Sequence, residues 1–188
     1  MPDVRPMRSL WLLTLAHAVN HAQAALLPLV YIVVIDDFHI DVPTIAFLAA
    51  LGSFASGAVQ LTYSGMTRRV SRRAILGVGN IIFGTFMALQ AAASSFIPFA
   101  AANITSRIGG SPQHPVGNGL LAEQFPAKRL GFAISAHIAG GNVGSAFVPL
   151  IGAALIAGIG WRNTVILFGL PAMVIGVAML LLVRESGS

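Results

Sequence analysis

Residues 17–31 read HAVNHAQAALLPLVY. Two histidines, an asparagine and a glutamine interrupt a run that is otherwise apolar enough to cross a bilayer. Lipid satisfies no hydrogen bond, so polar groups on such a helix need partners in protein or in enclosed water. The stretch therefore predicts a transmembrane helix packed inside a bundle, with its polar face turned to water and substrate rather than to lipid.

The rest of the chain has the same character. Its 188 residues are 56% hydrophobic and only 9% charged, against about a quarter charged in a soluble domain. The mean hydropathy is +0.82 and the pI about 11.1. A basic soluble chain would point to nucleic acid. Here the charges sit in short breaks between apolar runs, so membrane topology explains them and no nucleic-acid partner is expected. The absence of cysteine excludes disulfides, thiolate metal sites and cysteine nucleophiles. Arg5 and Arg8 ahead of Ala22-Gln23-Ala24 imitate a signal peptide. The apolar run continues through Ile35, however, and His17, Asn20 and His21 would spoil its centre, so a retained helix is expected.

A spanning helix needs roughly 20 apolar residues. Six segments qualify, at about 9–35, 44–64, 74–94, 96–121, 130–157 and 163–183. All the breaks are short, which predicts an all-α integral membrane protein, one six-helix bundle over residues 1–188. Arg5, Arg8, Arg68, Arg69, Arg72, Arg73, Lys128, Arg129 and Arg184 would fall on one side and Arg162 alone on the other. By the positive-inside rule both termini are then cytoplasmic, and the expected location is the cell (inner) membrane.

Polar residues inside the spans are the candidate site. His17 and His21 are four apart and share a helical face with Thr14, and Asn20 and Gln23 widen it. Counting depth along the helices places His17, His114 and His137 at one level. It places His21, Arg107 and Asn142 at a second, deeper one. Arg107 at mid-membrane costs at least about 2.5–3.5 kcal/mol if left to lipid. No Asp or Glu lies in any span, so a positive cavity suited to an anion is expected. The alternative is that Arg107 bonds carbonyls and amides and only stiffens the bundle. The histidines have a plain reading too, as interhelical glue worth about 0.6 kcal/mol each. Several histidines without a carboxylate or thiolate do not lead to an expected metal site or cofactor. With no carboxylate pair or activated nucleophile in the spans, an enzyme is not expected.

Small residues recur at four-residue spacing in two segments. Ala49, Ser53 and Gly57 form one stripe, and Ala136, Gly140 and Gly144 the other, with Gly141 and Ser145 beside it. Such stripes let helix backbones approach closely. The second and fifth segments share this trait. The first and fourth share polar residues and prolines, Pro28 on one and Pro112 and Pro115 on the other. That is the three-plus-three pattern of an inverted repeat in a transporter half.

Residues 60–73, QLTYSGMTRRVSRR, resemble the cytoplasmic signature of the major facilitator superfamily, G-x-L-A-D-R-x-G-R-R. Arg69, Arg72 and Arg73 fall on its basic positions. Ser64 replaces the glycine, and Arg68 replaces an aspartate thought to help latch one conformation. The run from Gly140 to Leu150, which includes Gly141, Gly144 and Pro149, resembles the glycine-proline motif of the family's fifth helix. Ser111-Pro112-Gln113-His114-Pro115 and Gly140-Gly141-Asn142-Val143-Gly144-Ser145 look like its fosmidomycin-resistance branch.

The resemblance implies the N-terminal six-helix half of a twelve-helix secondary transporter. It implies efflux of a small drug or metabolite, anionic if Arg107 contacts it, by proton antiport. The expected substrate contacts are His17, Asn20, His21, Arg107, His114, His137 and Asn142. Expected partners are the lipid bilayer, a small-molecule substrate, and either a missing C-terminal half or a second copy in a homodimer. Val183–Ser188 then reads as the start of a central loop. The rival expectation is a truncated or half-size membrane protein with a scaffold or regulatory role and no transport of its own.

Overall fold

The computed structural model describes residues 4–185, so Ser186, Gly187 and Ser188 of the expected loop lie outside the described residues. Among these residues there are eight α-helices and no strand. They are α1 (Pro6–Asp37), α2 (Val42–Gln60), α3 (Tyr63–Met66), α4 (Arg72–Leu89), α5 (Phe96–Gly110), α6 (Pro115–Gln124), α7 (Ala127–Ala146) and α8 (Val148–Leu182). Short 3-10 turns at Gln90–Ala92 and Ser111–Gln113 extend α4 and join α5 to α6.

The stops and starts follow from local chemistry. Asp41 caps α2 by accepting the Thr44 amide at 2.9 Å. Hydrogen bonds from Thr44 hold the Asp41 carboxyl below the usual carboxylate range. That contribution is present above the unfolded value of about 3.9 and is lost as pH falls through the lowered folded one. Ser71 caps α4, and prolines occupy the first turns of α1, α2, α6 and α8, where no amide partner is needed. His39 turns the chain out of α1 at φ 52°, in the small left-handed region that histidine enters more readily than most residues.

The long α8 is two helices in practice. Gly160 at φ 79° and ψ 159° breaks it, a conformation glycine adopts without strain. The break separates 148–159 from 161–182, close to where the sequence expects one span to end and the next to begin. Among the described residues four stretches are long and apolar enough to cross a membrane: Pro6–Asp37, Val42–Met66, Arg72–Ala92 and Val148–Leu182. Large side chains point outward along them, with Phe54 74% and Leu150 79% exposed. Such surface suits lipid or a neighbouring helix rather than water.

Three backbone-close seams hold the bundle, one of them between α4 and α5, where a Cβ on Gly79 would lie 2.7 Å from the Gly109 carbonyl. In another, α4 runs against the second part of α8. A Cβ built on Gly169 would lie 2.6 Å from the Gly84 carbonyl, and one on Gly176 would lie 2.6 Å from that of Gly77. Glycines seven apart on each helix thus meet in antiparallel register. In the third, α7 lies on α1, and a Cβ on Gly144 would collide with the Ala18 carbonyl. The stripe expected on α2 differs, since Gly57 meets nothing within 4 Å.

Two apolar clusters fill the interior. One gathers Leu10, Leu13, Leu76, Leu120 and Met179 near the ends of the chain. The other gathers Leu26, Val30, Tyr31, Phe99 and Trp161 at the opposite end. There Trp161 Nε1 and Arg162 donate to Asp37 at 3.1 and 2.7 Å, tying the start of α8's second part to the end of α1.

Gly144→Val should disrupt the α1–α7 seam, with an overpacking cost of about 1–3 kcal/mol or more. Gly57→Val should leave the protein nearly as stable as wild type. Thermal melting in detergent, read by size-exclusion chromatography, checks the pair.

Candidate functional site

Between the two apolar clusters lies a layer of polar side chains, centred on a break in the helical path. After α5 ends at Gly110, the chain tightens through Ser111–Gln113 and restarts at Pro115. Pro112 and Pro115 have no amide hydrogen to donate to a continuing helix. The break is paired from all sides. Asn20 of α1 donates to the Gly110 carbonyl at 3.1 Å. The Ser111 hydroxyl bonds the Ile108 carbonyl at 2.7 Å and shares a 2.6 Å hydrogen bond with Tyr63. Gln113 donates to Asn80 at 3.2 Å, and Asn80 in turn donates to the Leu76 carbonyl at 2.8 Å.

A cavity of about 230 Å³ opens beside this break. Asn20, Gln23, Ser56, Gln60, Arg107, Ser111 and His114 supply its polar wall, and Leu27, Phe83 and Met87 part of its apolar one. Arg107 extends over Gly52, where a Cβ would lie 2.7 Å from its Cδ. Its guanidinium donates to the Ser53 hydroxyl at 2.6 Å. Among the described residues no carboxylate pairs with it. Beyond it, Tyr31 donates to Asn103 at 3.1 Å, and Asn103 donates to Gln90 at 3.1 Å.

Four histidines gather next to the cavity. The His17 ring centroid lies 4.5 Å from His21, 4.8 Å from His114 and 4.3 Å from His137, on which it stacks. The expected shared level of His17, His114 and His137 is therefore seen, and His21 joins it rather than lying apart. His17 is only 1% exposed and His137 fully buried, while His114 faces the cavity. The reason is the α1–α7 seam. Gly140 and Gly141 admit Thr14, His17 and His21, with a Cβ on Gly141 only 2.9 Å from His17 Cε1. So the polar face of α1 divides: Thr14, His17 and His21 turn toward α7, and Asn20 and Gln23 toward the cavity.

Of the expected contacts, Asn20, Arg107 and His114 line the cavity. His17 and His137 stand behind its wall. Asn142 is exposed on α7, outside the lining. Gln60, Ser53, Ser56, Asn80, Gln90 and Asn103 also belong to this polar layer and were not expected. The available signal was an uncharged polar residue, or a small hydroxyl, inside an apolar run.

The basic turn before α4 forms a second constellation. Glu185 accepts the backbone amides of Arg72 and Arg73 at 3.0 and 2.7 Å. A carboxylate at a helix N-terminus satisfies free donors and the helix dipole together. Arg72 also pairs with Glu123 at 2.7 Å. Ser64, Arg68 and Arg69 are exposed.

The chain is similar in sequence and fold to known proteins. Residues 13–188 match the profile of the Major Facilitator Superfamily. A probable L-galactonate transporter of Escherichia coli is 25% identical over 93% of this chain and 38% of its own length. The efflux pump radE of Floropilus chiversii is 27% identical over 81% of this chain and 29% of its own. The antiporter QDR3 of Candida albicans is 27% identical over 70% of this chain and 19% of its own. A crystal structure of a bacterial homolog of the human lysosomal transporter Spinster, inward-facing and occupied, superposes with a TM-score of 0.82 at 22% identity. It covers 97% of this chain, which spans 46% of it. The chain thus spans less than half the length of each of these relatives. With its profile matched over nearly the whole sequence and its fold shared, this chain belongs to the Major Facilitator Superfamily, and its apolar helices place it in a membrane.

Proposed function

We propose that the chain is one six-helix half of a secondary transporter, with both termini cytoplasmic, that exports a small anion in exchange for protons. The observation that carries the reading is Arg107. It borders a cavity with a serine hydroxyl as partner and no carboxylate among the described residues to neutralise it. A guanidinium in that position is short of an anion, and arginine's planar fork suits carboxylates and phosphonates. The histidines clustered beside the cavity are the nearest candidate proton carriers. L-galactonate, named for one relative, is a carboxylate, and the names of two others are efflux pump and antiporter. The likeness to the fosmidomycin-resistance branch suggests a phosphonate as a second class.

A second six-helix unit completes the cavity, supplied by further chain or by a second copy. Transporters of this kind rock two halves around a midplane site. Exposed Phe47, Phe54 and Val143 on α2 and α7 offer apolar surface for such a unit. Two parallel copies satisfy the geometry, since the halves are related by an axis along the membrane normal. A homodimer would also demand self-complementary surfaces, which favours a separate second half.

In the full assembly, Arg107→Ala should weaken binding of L-galactonate or fosmidomycin by at least about thirtyfold, in line with about 2–5 kcal/mol for an unpaired buried charge partner. Arg107→Lys should weaken it less. Equal binding by the alanine variant and wild type overturns the anion site.

The cysteine-free sequence permits a separate check of water access. Ser56→Cys should react with a membrane-impermeant thiol reagent. A scaffold or regulatory protein with a closed interior predicts no labelling. Native mass spectrometry in gentle detergent should show a monomer across protein concentrations. A persistent dimer would instead make the second copy the missing half.

A further inference from the structure

We propose that His17, His21 and His114 form a binding site for a divalent transition-metal ion of the zinc class. One ring nitrogen from each lies within 4.8 Å of the others. In a tetrahedral zinc site with metal–nitrogen bonds of about 2.0–2.1 Å, ligand nitrogens stand about 3.4 Å apart. Closing that difference takes a small swing of His21 and His114, the two less buried rings.

The second observation concerns His17. Its Nδ1 lies 2.8 Å from the His137 carbonyl oxygen. A carbonyl only accepts, so Nδ1 carries the proton, and in the neutral ring Nε2 is a bare lone pair. That atom is buried and has no hydrogen-bond partner. A ring whose far nitrogen donates to a backbone carbonyl is the usual state of a metal-ligating histidine, with tautomer and orientation both fixed. His137 stacks on the same ring at 4.3 Å and fixes its plane.

His17 and His21 project from one face of α1 at i and i+4. His114 comes from the break between α5 and α6. The ion would therefore clasp the first helix to the break. Three neutral imidazoles suit zinc, copper or nickel better than calcium or magnesium. Three protein ligands leave a fourth position, as in zinc sites that hold a water or substrate. His114 is also a wall residue of the cavity that Arg107 borders, so an ion held here would sit beside that cavity.

The inference is independent of transport, because it concerns binding by the isolated chain. The full chain, purified in detergent without a polyhistidine tag, is titrated with Co2+ as a spectroscopic probe and then with Zn2+. One Co2+ per chain is expected, with the strong visible bands of four-coordinate cobalt, displaced by Zn2+. His21→Ala and His114→Ala should each weaken binding at least tenfold, no less than outer-shell changes do. Circular dichroism of the same samples confirms that they remain folded. His39→Ala, in the α1–α2 turn, should bind as wild type does. Absence of saturable one-to-one binding by the wild type overturns the proposal. So does undiminished affinity in both folded variants, or loss of binding in His39→Ala.

Discussion

A polar group enclosed in a bundle costs free energy unless it is paired, and here that demand is concentrated at the break between α5 and α6. Two prolines within four residues leave carbonyls without helical partners. Polar side chains around the break answer two of them, at Ile108 and Gly110. Asn20 takes Gly110, Ser111 takes Ile108 and bonds Tyr63, and Gln113 separately ties the break to Asn80 of α4. Because those partners come from α1, α3 and α4, the break fixes four elements relative to one another. It also leaves a gap where a continuous helix would have filled space, and the cavity occupies that gap.

The glycine seams act on the same layer from outside. Close approach of α7 to α1 requires that nothing project from Gly140, Gly141 or Gly144. Those residues bring the backbone near enough for His17 to reach the His137 carbonyl. A larger residue at 141 would displace His17 and His21, and with them the histidine cluster. Small-residue packing and the polar site are therefore one design constraint. Lipid provides little hydrophobic drive between helices, so such packing and interhelical hydrogen bonds carry the association.

Much of this was legible in the sequence. Apolar length, proline and charge located the helical segments and nearly every turn, because each depends on residues adjacent in the chain. The approach of His17, His114 and His137 followed from counting rise along helices. The partition of the α1 polar face did not follow. His17 and Asn20 are three residues apart, and which of them meets α7 depends on helix rotation, set by contacts at Gly140 and Gly144. The α4–α8 seam was missed for a related reason. Gly77, Gly84, Gly169 and Gly176 are spaced by seven, so a search for four-residue stripes passes over them. Asn80, Gln90 and Asn103 carry no charge and resemble incidental polar residues until their partners are seen.

The basic turn shows how a motif can lose a residue and keep its electrostatics. Arg68 stands where the family pattern has an aspartate, which adds positive charge to a turn that already holds Arg69, Arg72 and Arg73. The start of α4 presents free amides and the positive end of a dipole at the same place. An acid has to come from somewhere, and it comes from distant sequence. Glu185 lies against the α4 amides and Glu123 against the Arg72 side chain. One acid follows α8 and the other sits on α6, so the turn is held to both. Any movement that draws α6 or the end of α8 away from α4 must separate these charges.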